Sequence, residues 1–159
     1  MDLHEWRDDW SAARAGHGCV LCRSIGADET EFGLRVFTGD YLDAYLGKRG
    51  IIPGYTVAVF NRGHVCEPTE LDPSAAAGYW RELLRVGRGV EASIVHVKMN
   101  YLMLGNGVPH LHTHVIPRPP RDPAPHAPLP WQYLDEGEQD PVAVAEVANR
   151  LAAAIDGAG

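Results

Sequence analysis

One short run at residues 110–116, His-Leu-His-Thr-His-Val-Ile, constrains the fold more than any other part of the sequence. Side chains alternate between the two faces of a β-strand, so a strand here places His110, His112 and His114 on one face. Three imidazoles are costly to bury in an apolar core, because each ring has two nitrogens that need partners. We therefore predict a strand at 110–116 whose histidine face forms a functional site.

The chemistry of such a face has two functional interpretations. An imidazole can act as a nucleophile when a hydrogen-bond acceptor holds its second ring nitrogen. Three imidazoles can instead bind a catalytic metal ion. A histidine-rich surface strand without a function is the remaining alternative.

The segment before this strand also favours a ligand site. Gly105, Asn106 and Gly107 are typical of a tight turn, and they separate strand-like residues 94–104 from the histidine strand. This spacing predicts an antiparallel hairpin. Glycines let backbone N–H groups approach a ligand closely, and successive N–H groups in a turn bind phosphate without a basic side chain.

A second motif, Cys19 and Cys22, has the spacing of half a zinc site. His64 follows a predicted buried strand and is a natural third ligand, and one histidine of 110–114 is a natural fourth. Cys66 is a rival ligand, although a buried apolar role suits it better. Redox chemistry fits less well, because the pair follows a helix and a glycine-rich break rather than a strand. Two free structural cysteines are the remaining alternative.

The rest of the pattern predicts an α+β domain with an antiparallel sheet, one long helix packed on it and helices near both ends. Asp72 and Pro73 form a good helix start, followed by apolar residues at helical spacing. Residues 117–130 contain seven prolines in fourteen positions, which predicts a stiff, extended arm. The remaining predicted elements are a weak helix at 4–15, strands at 34–37, 41–46 and 56–60, the main helix at 72–92 and a terminal helix at 140–156.

Composition limits the possible partners. The chain of 159 residues has a net charge of −7, which argues against broad binding to nucleic acid or membrane surfaces but permits a small anionic ligand in a local pocket. No apolar run approaches a membrane span, and the first ten residues lack the pattern of a signal peptide. With three cysteines, these features favour a reducing cytoplasm.

These motifs together resemble the histidine triad (HIT) superfamily. Residues 110–116 match its alternating histidine motif, and 100–118 look like a bacterial, zinc-containing HIT hydrolase branch. Residues 53–59, with His64 after them, are similar to an earlier strand of that family. The resemblance covers about 19–118 of a single domain spanning 1–159; the arm at 119–135 and the terminal helix lie outside it.

The resemblance implies a nucleotide hydrolase or nucleotidyl transferase that acts at the α-phosphate of a nucleoside phosphate. His112 would be the nucleophile that forms a nucleotidyl-histidine intermediate, and His114 would contact the phosphate or assist the leaving group. The phosphate end would be lined by His114 together with Asn100, Gly105, Asn106 and Gly107.

The same resemblance assigns Cys19, Cys22, His64 and His110 to one structural zinc ion per chain. It also implies a five-stranded antiparallel sheet and a homodimer. Trp80 on the main helix, with Trp131 and Tyr133 at the end of the arm, agrees with a dimer because aromatic residues outside a core are typical interface anchors.

One departure concerns the sugar. Many members carry an acidic residue for the ribose hydroxyls shortly after the second strand, and Gly47 stands at that position here. A nucleotide-binding or scaffold protein with a vestigial site is therefore the alternative function. Neither the base nor the leaving group is specified by these motifs.

Overall fold

The computed structural model describes residues 4–159, and Met1 to Leu3 of the N-terminal segment lie outside the described residues. Five strands form one sheet: β1 (Gly33–Thr38), β2 (Leu42–Gly47), β3 (Thr56–Phe60), β4 (Lys98–Leu102) and β5 (His112–Arg118). The helices are α1 (Trp10–Arg14), α2 (Val20–Ser24), α3 (Pro73–Ser93), α4 (Gln132–Asp135) and α5 (Pro141–Gly157), with a 3-10 turn at Pro68–Glu70.

The sheet is antiparallel throughout, with the strand order β1-β2-β3-β5-β4. This arrangement confirms the predicted α+β class. The histidine strand β5 lies between β3 and β4, and its register sets Val59 opposite His112 and Val57 opposite His114. The site is therefore held by a strand with partners on both sides.

One face of the sheet carries the main core beneath the two long helices. Asp72 accepts hydrogen bonds from the N–H groups of Ser74 and Ala75, so α3 begins where the sequence predicts. Its apolar residues, buried with Leu151 and Ile155 of α5, are Tyr79, Leu83, Val86 and Val90. The alternation of β5 then leaves His112 and His114 on the opposite face.

Thr113 points into this core, although its side chain is polar. Its hydroxyl lies 2.8 Å from the hydroxyl of Tyr79, and both side chains are buried. The pair satisfies two polar groups that would be costly to bury alone. Thr113 is therefore accommodated by its partner on α3.

Two predictions about the histidine hairpin need correction. The strand begins at His112, so His110 and Leu111 precede it. The strands β4 and β5 do pair, but residues 103–111 connect them as a longer loop in place of a tight turn. Leu111 does not pair with β4. Its N–H donates to the carbonyl of Val65, and its own carbonyl accepts from the N–H of Phe60.

The proline-rich segment folds against the sheet and is not an extended arm. The side chain of Arg118, at the end of β5, donates to the Asp122 carboxylate and to the carbonyls of Ala124 and Ala127. Arg118 and Asp122 are both largely buried. This hydrogen-bonded pair turns the segment back over the face that carries His112.

No helix within residues 4–159 is long and apolar enough to cross a membrane.

Candidate active site and metal-binding group

His112 is oriented by the backbone of the residue two positions before it. Its Nδ1 lies 2.5 Å from the carbonyl oxygen of His110. A carbonyl only accepts hydrogen bonds, so Nδ1 carries the proton and donates it. The lone pair of the ring is then on Nε2, the nitrogen free to react.

The surroundings of His112 keep its imidazole neutral. The side chain is buried, and burial lowers its pKa below the ordinary value, while the hydrogen bond to His110 acts in the opposite direction. A neutral imidazole retains the lone pair that a nucleophile requires. The orientation and the protonation state of His112 therefore both suit a nucleophile.

His114 is held by a tyrosine that the motif alone does not reveal. Its Nδ1 lies 2.7 Å from the hydroxyl of Tyr55, and the two rings stack. Burial raises the pKa of Tyr55 and lowers that of His114 to about 3, so both groups are neutral. Nδ1 of His114 is the one hydrogen-bond partner of the Tyr55 hydroxyl among the described residues, so we assign the hydroxyl as the donor and Nδ1 as the acceptor. That assignment leaves the proton of His114 on Nε2, where it can be donated to a ligand.

Both histidines open into one cavity of about 460 Å³. Gly105, Asn106 and Gly107 line the same cavity, as their position before the strand predicts. Within residues 4–159, no backbone carbonyl accepts from the N–H groups of these three residues. The loop therefore has donors available for an anion beside His112.

Asn100 does not join this group. It lies on β4, and its side-chain oxygen accepts a hydrogen bond of 2.7 Å from Arg118. It borders a different cavity, beneath the proline-rich segment. The expectation that Asn100 lines the phosphate end is not met, because Arg118 holds its side chain in the scaffold of that segment.

The four residues assigned to a metal do come together. Their ligand atoms, from Cys19, Cys22, His64 and His110, all lie within 4.8 Å of one another. The Cys22 sulfur is 3.3 Å from Nδ1 of His64 and 3.4 Å from Nδ1 of His110. Two thiols and two imidazoles at such separations suit a closed, four-coordinate zinc site.

Hydrogen bonds from Nε2 orient the two imidazole rings so that Nδ1 can act as a metal ligand. Nε2 of His110 is 2.8 Å from the carbonyl of Phe60, and Nε2 of His64 is 3.1 Å from that of Arg14. Each Nε2–H therefore donates to a carbonyl and leaves the Nδ1 lone pair directed at the thiols. Carbonyl partners of this kind commonly orient metal-binding histidines.

The cysteines of the group differ from Cys66. Burial, with a contribution from Cys19, raises the pKa of Cys22 to about 11, so a cation must displace the thiol proton. The Cys66 sulfur instead donates to the carbonyl of Pro109 at 3.0 Å and lies outside the four-residue group.

The structure also separates His110 from the other two histidines of the motif. His110 belongs to the four-residue group, whereas His112 and His114 line the cavity. This arrangement gives no support to one ion held by all three histidines.

Comparisons with known proteins agree with this arrangement. A family model described as the HIT domain matches residues 34–121, which is more than half of the chain. The chain belongs to the HIT domain family. Members of this family are generally nucleotide hydrolases or transferases, although some only bind nucleotides. The comparison with curated proteins found no significant match.

Solved structures of HIT proteins share the fold. A histidine triad protein from Bradyrhizobium japonicum is 26% identical, with a TM-score of 0.72 over 83% of this chain and 97% of its own. A histidine triad protein from Marinobacter aquaeolei has a TM-score of 0.72 at 23% identity, over 89% and 98% of the chains. A zinc-bound member from Mycobacterium smegmatis has a TM-score of 0.62 at 23% identity, over 89% and 95%.

Several cavity residues were not predicted as site residues. Tyr55 immediately precedes the predicted buried strand at 56–60, and Arg49 and Asp135 lie in loop-like sequence. Trp131 was interpreted as an anchor of the arm, and its ring lies 4.9 Å from that of His114 in the same chain. Only the folding back of the proline-rich segment brings Trp131 and Asp135 to the site.

Proposed function

We propose that this HIT protein is a nucleotide hydrolase or nucleotidyl transferase that acts at the α-phosphate of a nucleoside phosphate derivative. The observation that carries the proposal is the hydrogen bond from Nδ1 of His112 to the His110 carbonyl. It leaves Nε2 of a neutral imidazole facing the cavity. The adjacent loop supplies backbone donors where a phosphate would lie.

In the first step, Nε2 of His112 attacks the α-phosphorus, and an N–P bond forms as the bond to the leaving group breaks. The attacking ring becomes cationic, and its Nδ1–H stays hydrogen-bonded to the His110 carbonyl, which stabilises that charge. Nε2–H of His114 donates a hydrogen bond to the departing group, which leaves with the electron pair of the broken bond and takes a proton from solvent. One difficult displacement at phosphorus is thereby divided into two easier ones.

In the second step, water attacks the phosphorus of the nucleotidyl-histidine. The N–P bond breaks, the electron pair returns to Nε2 of His112, and the water proton is released with the nucleoside monophosphate. Another nucleophile in place of water makes the reaction a transfer. The N–H groups of 105–107 hold the phosphate oxygens in both steps.

We also propose one structural zinc ion per chain, bound by Cys19, Cys22, His64 and His110. The close approach of their ligand atoms supports it, as does the zinc in the Mycobacterium smegmatis relative. Zinc would fix the loop before β5 and so the carbonyl that orients His112. The thiols must stay reduced to bind it, which agrees with a cytoplasmic location.

A nucleotide-binding protein without turnover is the second candidate. Gly47, at the end of β2, provides no acidic side chain for the ribose, and a Cβ there would lie 2.9 Å from the Tyr55 ring. This departure from the family pattern favours the second candidate. Such a protein would bind nucleotides as the proposed enzyme does, so turnover must be measured separately from binding.

The histidine nucleophile is tested by His112→Ala with a fluorogenic adenosine phosphoramidate as substrate. We expect turnover to fall on the order of 10³-fold or more, because the substitution removes the imidazole that forms the covalent intermediate. Quenched wild-type protein should carry an adenylyl group on His112 by mass spectrometry. The exposed His126, outside this cavity, gives a control, since His126→Ala should keep full activity. Substantial turnover in His112→Ala would refute the covalent mechanism, and binding without turnover in wild type would favour the second candidate.

The zinc site is tested by metal analysis of the purified protein. We expect about one zinc per chain in wild type and its loss in Cys22→Ser, with a lower melting temperature, because folding and metal binding are coupled. Cys66→Ser is the matched control and should retain zinc. Full thermal stability of metal-free wild-type protein would contradict a structural role.

We propose a homodimer as the assembly. The exposed Trp80 and Leu84 of α3, and Tyr101 and Val97 at the β4 edge of the sheet, support it. Trp131 lies against His114 of its own chain but is still 47% exposed, so it also remains available to an interface. Light scattering should give a mass near twice 17.4 kDa. A folded monomer at micromolar concentration would refute the dimer without affecting the role of His112.

A further inference from the structure

The cavity beside His112 has one acidic side chain in its wall. Among the described residues that line it, Asp135 is the only carboxylate and Arg49 the only guanidinium. No ion pair joins these two side chains within residues 4–159. Asp135 lies in α4, beyond the part of the chain that the HIT family model matches.

The segment that carries Asp135 is fixed to the rest of the domain. The N–H groups of Gly50 and Ile51 donate to the carbonyls of Gly137 and Tyr133. Leu134 is buried, and a Cβ on Gly50 would approach its backbone at 2.5 Å. Asp135 therefore occupies a defined place in the cavity wall.

This place is close to the reacting histidines. The Trp131 ring contacts the His114 ring, and Asp135 follows Trp131 by four residues, which is about one helical turn. The charge of Asp135 also contributes to raising the pKa of Tyr55, after the larger effect of burial, and Tyr55 is hydrogen-bonded to His114. The carboxylate therefore lines the same cavity as His112, His114 and the loop at 105–107.

A carboxylate at this position determines which part of a bound ligand can lie next to it. It repels phosphate oxygens and accepts hydrogen bonds from neutral donors. In a nucleotide, the sugar hydroxyls lie between the phosphate and the base, and a vicinal diol offers two donors to one carboxylate. The base itself suits the apolar wall formed by Val20, Leu21, Phe32 and Val108.

We propose that Asp135 binds the 2′- and 3′-hydroxyls of the substrate and makes the site specific for ribonucleotides. This inference rests on the proposed function and adds a specificity-determining residue to it. The sugar is then held by a segment outside the matched HIT domain. Along β2, Gly47 lines the same cavity without a side chain, so it offers no competing carboxylate.

The test compares the binding of adenosine monophosphate and its 2′,3′-dideoxy analogue by calorimetry, which needs no turnover. Wild type should bind the ribonucleotide about tenfold more tightly, as expected for hydrogen bonds to a charged group. Asp135→Asn should lose most of this preference by weakening ribonucleotide binding. Glu136→Gln, a neighbouring exposed residue outside the cavity wall, should keep it.

Each of the following results would overturn the inference. Equal binding of the two nucleotides by wild type, or an unchanged preference in Asp135→Asn, would exclude diol recognition and leave the proposed function intact. If Asp135→Asn weakened the binding of both nucleotides equally, the carboxylate would contact a part of the ligand other than the diol. Failure of wild type to bind any nucleoside monophosphate would overturn the proposed function as well.

Discussion

The site depends on the two hydrogen-bonding roles of one residue, His110. Its ring directs Nδ1 towards Cys19 and Cys22 while Nε2–H donates to the Phe60 carbonyl. Its own carbonyl accepts the Nδ1–H of His112. The residue is fully buried, so neither hydrogen bond competes with solvent. The proposed metal-binding group and the proposed nucleophile are therefore joined through a single residue, and displacement of that residue would affect both.

This arrangement explains why the fold matters to the chemistry. The antiparallel register of β3 and β5 places the His112 side chain on the face opposite the helical core. On that face the scaffold is built from the cysteine helix α2 and the segment that Arg118 folds back. The helical core contributes rigidity, while the cavity is built mostly from loops. Such a division lets related proteins share the sheet and differ in the groups that meet the ligand.

The sequence is most informative where the pattern is local. Strand alternation predicts that His112 and His114 share a face, and Asp72 with Pro73 predicts the start of α3. The spacing of Cys19 and Cys22 predicts half of a zinc site, and the resemblance to the HIT superfamily implies the other two ligands, His64 and His110. Long-range contacts left no such signal. Tyr55, just before β3, meets His114 only because β3 pairs with β5. Asp135 reaches the cavity because the proline-rich segment folds back, held by four hydrogen bonds from Arg118 to Asp122, Ala124 and Ala127. Asn100 was misplaced for the same reason, since its partner Arg118 is distant in sequence.

The central claim is that the His110 carbonyl fixes the proton of His112 on Nδ1 and leaves Nε2 free for attack. Nitrogen-15 NMR of the histidine rings in zinc-loaded protein at neutral pH measures this directly, with His112 assigned from the signal lost in His112→Gln. The account predicts a proton on Nδ1 and a bare Nε2. A proton on Nε2, with Nδ1 bare, would contradict it.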